Sequence, residues 1–464
     1  MKKGDLITDL EIIDIASNGK AVGKLEGQVV FINGLIPGDV ADVQVFKKRR
    51  KYAEGRSVEL KKESEDRTSP RCVHFGTCGG CKWQNMNYTA QLRYKESHVR
   101  ENLKKISGVE LPEMNPILPS EEQYDYRNKL EYTFSNKRWL TQEEIDSGQE
   151  FDARHALGFH VPGMFDKVVD LSECHLQGKI SNEVRDFIRR KSLELDIPFF
   201  DLREQNGALR NLIVRTTTTG EVMVILSVFE MTDDVKSLLE AIRKEFPDLT
   251  SLQYAVNAKK NDTLFDQDII PHSGQTFITE KMKGLSYRIG PKTFYQTNSR
   301  QAEKLYEVAM HMADLKGDEL VYDLYTGTGT IANYLAKKSK KVVGVEYVPE
   351  AVADAKVNSE LNGIENTEFF AGDMKDILTD DFFEMHGRPE VIVTDPPRAG
   401  MHPDVVERIA ASGAGKVVYV SCNSASQARD LEVLNKTYKV VEIQPVDMFP
   451  QTAHVENVVK MIKR

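Results

Sequence analysis

The chain has 464 residues, 40% of them hydrophobic and 29% charged, with a formal net charge of −9 at pH 7. That length predicts two to four domains, each large enough for its own core. No apolar run reaches the ~18 residues of a membrane-spanning helix, and MKKGDLITDLEIIDI has acids where a signal peptide needs an apolar core, so a cytoplasmic protein is expected. Global acidity disfavours polyanionic partners unless basic residues are grouped.

Residues 1–62 read as a small β unit. Short apolar runs are separated by the turn signals Ser17-Asn18-Gly19, Asn33-Gly34 and Pro37-Gly38-Asp39. Ala41, Val43 and Val45 alternate with Asp42 and Gln44, the period of a half-buried strand. Closely spaced strands of this kind predict a barrel of the OB type. This segment has 12 Lys and Arg against 9 Asp and Glu, reversing the sign of the whole chain. Its consecutive Lys47, Lys48, Arg49, Arg50 and Lys51 are candidate phosphate contacts, although such runs are usually solvated faces. NGLIPGDVADVQV followed by a basic run resembles the TRAM domain, which implies an RNA-binding barrel.

Residues 63–70 are charged and read as a linker. A central α+β domain is expected over 63–292. It opens with Cys72, Cys78 and Cys81, spaced C-x5-C-x2-C among Gly76, Gly79 and Gly80. Five cysteines, an odd number, argue against a disulfide framework. Four thiolates suit iron–sulfur or zinc, and Cys174 can supply the fourth without using Cys422. Three clustered cysteines and one distant one favour a [4Fe–4S] cluster, with zinc as the alternative because its usual second pair is missing. His74, His160 and His175 lie nearby and read as structural. Residues 85–107 predict a charged helix, and 232–245 an amphipathic one capped by Thr232. Arg127, Lys129, Arg210 and Arg215 lie on strand-like runs, either facing RNA or as plain surface charge.

From 293 to 464 strands and helices alternate, as in a doubly wound parallel sheet. Asn298 is placed to cap a helix. Strands are expected at 320–324, 341–345, 367–371, 390–394 and 416–421, then 440–443 and 458–462. The first runs into Gly327-Thr328-Gly329-Thr330, a loop that fits a dinucleotide fingerprint. Asp323, Glu346, Asp373 and Asp395, at successive strand ends, would repel a pyrophosphate and suit the cationic groups of S-adenosylmethionine. Asp395-Pro396-Pro397-Arg398 forms a stiffened loop. Cys422 stands just past a strand's carboxyl end, where open α/β sheets bind ligands.

These parts permit methylation at C5 of a pyrimidine, which needs a nucleophilic thiol, a base and a methyl donor. Arg398, if close, would lower the pKa of Cys422. His454 and Glu456 are the candidate bases. FYQTN (294–298), DLYTGTGT (323–330), Glu346, DPPRAG (395–400), SCNS (421–424) and PQTAHVE (450–456) resemble the RNA uracil-C5 methyltransferases of the RumA/TrmA type. The cysteine spacing and TRAM-like segment resemble the RumA-like members in particular. The resemblance implies a class I, Rossmann-like catalytic domain, with Cys422 as nucleophile and Glu456 as base. It further implies that Gln296, Tyr325, Thr330, Glu346, Asp373 and Asp395 contact S-adenosylmethionine, and that Cys72, Cys78, Cys81 and Cys174 hold [4Fe–4S]. Ser424 stands where the family often has proline, which puts the rigidity of that loop in question. The helix near 85–107 can pack on the catalytic domain in this family. The implied substrate is 23S ribosomal RNA, because bacterial tRNA members usually lack both barrel and cluster; archaeal-type tRNA members carry both, so tRNA is the alternative. A non-catalytic iron–sulfur RNA-binding protein is the more distant one, and no obligate protein partner is evident.

Overall fold

The computed structural model describes residues 1–151 and 154–464. Strands Leu6–Ile15, Ala21–Leu25, Gln28–Ile32, Val40–Lys48 and Tyr52–Lys62 close into the expected barrel. Ala41, Val43 and Val45 point into its core with Ile12, Val30, Ile32 and Ala53, while Asp42 and Gln44 face outward. Of the basic run, Lys47 pairs with Glu54 at 2.6 Å and Lys48 donates to Gln28 at 2.6 Å. Only Arg49, Arg50 and Lys51 stand exposed at the turn.

The segment 63–70 is not the free linker its composition suggested. Asp39 is fully buried, and a buried carboxylate needs partners. It recruits Arg67 at 2.5 Å, the Ser64 N–H at 3.0 Å and the Ile36 N–H at 2.8 Å.

The central sheet runs Ile270–Gly274, Ser251–Val256, Val222–Val228, Leu209–Thr216, Lys129–Ser135, Ala156–Val161, Met164–Asp170. Its neighbours are antiparallel except Val222–Val228 with Ser251–Val256. Period-two alternation divides its apolar residues. Leu212, Val214, Val224 and Leu226 pack under helices Lys179–Glu194 and Asp233–Glu245. Ile213, Met223 and Ile225 point the other way, into the core of the C-terminal domain. Thr232 caps its helix as expected, accepting from the Val235 N–H at 3.2 Å. Arg210 and Arg215 are neither RNA-facing nor surface charge: they are 1% and 6% exposed. Arg210 donates to the carbonyls of Asn257, Lys259 and Asn261, and Arg215 to that of Thr293. A strand arginine is buried when loop carbonyls wait at the sheet edge to receive it, and that arrangement is not local in sequence.

The C-terminal sheet has the order Thr367–Ala371, Lys341–Glu346, Leu320–Leu324, Val391–Thr394, Lys416–Ser421, Glu456–Lys463, Tyr438–Val446. Five strands are parallel, and Glu456–Lys463 runs antiparallel to both its neighbours. This is the Rossmann-like sheet expected from the sequence. Asn298 caps helix Ser299–Ala313. That helix buries Ala302, Leu305, Ala309 and Met312 on one sheet face, together with the hairpin Ile278–Met282 and Leu285–Ile289. On the other face lies helix Tyr88–Ile106, capped by Asn87, with Val99 and Leu103 in the same core as Val417 and Tyr419. Each such fully buried apolar side chain contributes about 1.5–3 kcal/mol. No helix among the described residues is long and apolar enough to cross a membrane.

Candidate active site

Strand register alone gathers most of the candidate residues along one edge. Leu324 is level with Val345 on one side and Thr394 on the other, and Thr394 with Tyr419. Tyr325, Glu346 and Asp395 therefore end three adjacent strands. The antiparallel ladder ends with Ser421 opposite Asn457, so Cys422 and Glu456 are the residues just beyond its last pair. An antiparallel last strand is what lets a residue at its start meet a residue just past its neighbour's end.

The glycine loop is shaped for close approach. Gly329 has φ of +75°, and a Cβ there would lie 3.0 Å from the Ala355 side chain and 3.2 Å from Phe369. Glu346 accepts from the N–H groups of Gly327 and Val348, both at 3.0 Å, which fixes its carboxylate across the loop. Tyr325 has φ of +63°, a conformation that non-glycine residues rarely adopt and that concentrates at functional sites. Asp323 is fully buried, and one oxygen accepts from Thr326 at 2.5 Å while the other has no partner. Burial, with the nearby Asp395 adding, pushes its pKa up to about 7 against the pull of the Thr326 hydroxyl. Thr330 is buried, 3.3 Å from the Thr328 hydroxyl. Gln296 is half-buried, its carbonyl accepting from Asn128 at 2.8 Å. Asp373 is more exposed and already engaged, capping Lys375 at 3.2 Å and pairing with its ammonium at 3.3 Å. Asp373 thus belongs to the edge without pointing an unspent carboxylate into it.

The Cys422 thiol is pushed up to about 11, first by burial, then by the charges of Glu456 and Asp395. Arg398 pulls the other way, as its position in the sequence suggested, but the carboxylates and burial outweigh it. Glu456 is 5% exposed, and burial followed by the proximity of Asp395 raises its pKa well above the ordinary carboxylate range. Asp395 is raised by burial as well. His454 is exposed at the rim, with the cations Arg398, Lys95 and Arg127 around it. Three carboxylates with raised pKa values side by side make a site that favours a cationic ligand, since a positive charge would return them to their charged form.

Several contacts that hold the site were not legible in the sequence. Asn423 donates to the Arg398 carbonyl at 2.9 Å, tying the cysteine loop to the proline loop. Ser424 opens helix Ser424–Leu434 and accepts from Asn102 at 2.9 Å, so the loop is held without a proline. Asn298 reaches the Met448 carbonyl at 2.9 Å, and Tyr126 that of Pro450 at 2.8 Å. The signal available was weak: Gln91, Lys95 and Asn102 are polar at helical spacing, a pattern that ordinarily marks a solvated face.

Cys72, Cys78, Cys81 and Cys174 all line one cavity of about 30 Å³ with Phe75, Gln84 and Leu176. All five cysteines are unbridged. Burial raises the four thiols, Cys78 to about 11 and Cys81 to about 12; neighbouring thiols add at Cys78, Cys81 and Cys174, and the Glu173 charge at Cys72. Among the described residues, no group of three or more His, Cys, Asp or Glu side chains is arranged to hold a metal ion. His74 is engaged with Ser172 at 2.9 Å and His160 lies 3.2 Å from the Thr133 hydroxyl; His175 lines the cavity.

Comparison with known proteins adds a family. Residues 200–464 match the family model described as tRNA (Uracil-5-)-methyltransferase, and residues 6–58 match the TRAM domain. A Porphyromonas gingivalis protein described as an uncharacterized RNA methyltransferase is 53% identical, with 98% of this chain and 99% of the relative covered. A Chlorobaculum tepidum protein of the same description is 40% identical over 98% of this chain and 96% of its own. The crystal structure of Pyrococcus abyssi tRNA (uracil-54, C5)-methyltransferase with S-adenosyl-L-homocysteine is 28% identical with a TM-score of 0.76, covering 98% of this chain and 100% of that one.

Proposed function

The chain belongs to the tRNA (uracil-5-)-methyltransferase family of RNA-modifying enzymes, and from that membership we propose that it methylates C5 of a specific uridine in 23S ribosomal RNA. The observation that carries the reading is that Cys422 and Glu456 lie just beyond the last pair of the antiparallel ladder, with the charges of Glu456 and Asp395 acting on the thiol. S-adenosylmethionine supplies an electrophilic methyl on a sulfonium, and its cationic groups suit Asp323, Glu346 and Asp395; we assign Gln296, Tyr325, Thr330 and Asp373 to the same cofactor site. The Cys422 thiol loses its proton and adds as the thiolate to C6 of uracil; the ring's electron pair moves to C5, which takes the methyl as its bond to the sulfonium sulfur breaks and S-adenosylhomocysteine leaves. Glu456 then removes the C5 proton, the C5–C6 double bond re-forms and the C6–sulfur bond breaks. A base that must take a carbon-bound proton near neutral pH is served by a carboxylate whose pKa is raised.

The target base has to leave its stack to reach a thiol at the sheet edge, at a cost of a few kcal/mol. Arg49, Arg50 and Lys51 on the barrel, with Arg127 and Arg398 at the rim, are the cations that offset it. We assign the four cysteines a [4Fe–4S] cluster in preference to zinc on their spacing, three thiols close together and one distant. A cubane spreads its four thiolates over separate irons, whereas one zinc ion needs them drawn to a single point. Its role would be to hold the loop of Cys72–Cys81 together, since the methyl transfer needs no electron. The activity is placed in the cytoplasm, where the RNA is.

Ribosomal RNA is favoured by the coexistence of barrel and cysteine set, which the sequence resemblance ties to that substrate. The tRNA reading is favoured instead by the likeness to the archaeal tRNA enzyme. Labelled methyl transfer to total RNA, followed by mass spectrometry of the modified fragment, separates them. We expect 5-methyluridine in large-subunit RNA and none with Cys422→Ala. Methylation confined to the T-arm of tRNA would overturn the ribosomal reading, and absence of 5-methyluridine in any RNA would overturn the activity.

A further inference from the structure

The helix Tyr88–Ile106 lies outside every motif that carries the chemistry, yet its side chains hold both reacting loops. Gln91 is 1% exposed and exchanges two hydrogen bonds with Gln451: its Nε2 donates to the Gln451 Oε1 at 3.0 Å, and its Oε1 accepts the Gln451 N–H at 2.9 Å. One turn on, Lys95 is fully buried; its Nζ pairs with Asp447 at 2.5 Å and donates to the Phe449 carbonyl at 3.0 Å. Two turns further, Asn102 donates to the Ser424 hydroxyl at 2.9 Å. The first two side chains grip the loop that leads into Glu456; the third grips the loop that carries Cys422.

The loop before Glu456 has reason to need this grip. Gln451 has φ of +67°, an unfavourable conformation for a residue with a side chain, and its carbonyl accepts from the backbone of Lys82 and Trp83 at 2.8 and 3.1 Å. Nothing in its own sequence would keep it there. The helix and the residues just before it impose the conformation from outside.

We propose that helix Tyr88–Ile106 is a strut that fixes the separation of nucleophile and base, with Gln91, Lys95 and Asn102 as positioning residues. The proposal rests on the roles given above to Cys422 and Glu456. It divides the labour along the helix. Asn102 governs formation of the Cys422–C6 bond, and Gln91 governs removal of the C5 proton, which breaks that bond again. Lys95 is the poorer probe, because its removal leaves Asp447 buried without its cation.

Two RNA substrates read the two halves separately. On RNA containing 5-fluorouridine, the rate of covalent attachment reports nucleophilic addition, because the fluorine cannot be taken as a proton. On ordinary RNA, the methylated covalent complex seen on a denaturing gel reports slow elimination. Asn102→Ala is expected to slow attachment about tenfold or more, since a 1 Å misplacement costs up to ~100-fold, without accumulating methylated complex. Gln91→Ala is expected to attach at close to the wild-type rate and to accumulate methylated complex. Melting temperatures are followed in parallel. Should Gln91→Ala fail to fold, Gln91→Glu keeps the acceptor for the Gln451 N–H, loses the donor and carries the same prediction. If both variants slow both halves in equal proportion, or neither half changes, the strut is overturned. A wild-type enzyme that never attaches overturns the underlying roles, and the strut with them.

Discussion

At the scale of single residues, the chemistry turns on charges that burial would rather suppress. Cys422 carries a raised pKa because burial, and then the charges of Glu456 and Asp395, disfavour its thiolate, and Arg398 is the cation that opposes them. Replacing Arg398 with alanine should raise the thiol pKa further. Alkylation of Cys422 by iodoacetamide at a fixed neutral pH should then slow a few-fold, the size of about 1 kcal/mol between charges in a wet site, and its pH profile should move to higher pH. An unchanged profile would show that Arg398 does not face the sulfur. Glu456 has the opposite requirement, since only its deprotonated form accepts a proton. Because burial raises its pKa, the elimination step should gain rate as pH rises through neutrality, measured by single-turnover release of methylated RNA. The motif residues were legible because they cluster at strand ends: Glu346 closes its strand, and Asp395 and Cys422 stand one residue past theirs. The fates of Arg210 and Arg215 were not, because a strand arginine looks the same whether loop carbonyls or water await it.

At the scale of elements, the strands of the C-terminal sheet and the capped helices followed from local patterning, with Asn298 and Thr232 capping where the sequence placed them. The brace across the catalytic loops was hidden by distance along the chain. Gln91 meets Gln451 360 residues away, Lys95 meets Asp447 at 352, and Asn102 meets Ser424 at 322. The helix existed in the sequence; the use of its polar face did not. Lys95 and Asp447 are both fully buried, so removing one partner strands a charge. Lys95→Met should cost about 3–5 kcal/mol in chemical denaturation. Adding Asp447→Leu should restore part of that loss, because the stranded carboxylate goes with it. Additive losses, with the double variant costing the sum of the two single ones, would show that the pair is not coupled.

At the scale of the whole molecule, three units converge on one loop. The barrel turn at Gly19 packs so closely that a Cβ there would lie 3.2 Å from Ala453 and 3.4 Å from Lys82. Trp83 donates from its indole to the Gly19 carbonyl at 3.2 Å, and Ile36, Trp83, Met86 and Ala90 form a small core at this junction. The barrel, the cysteine segment and the catalytic sheet therefore meet beside Glu456. The proposed cluster would stiffen one arm of that junction. Purified without oxygen, the protein should be brown with about four irons and lose both on Cys78→Ser; a colourless protein holding one zinc would contradict the cluster. The central claim, though, is the covalent bond between Cys422 and a uracil ring, and its most direct measurement is peptide mapping after turnover on 5-fluorouracil-substituted RNA. The account predicts a stable RNA-linked, methylated peptide containing Cys422, absent from Cys422→Ala. Methylated product released from such RNA with no adduct on that residue would contradict it.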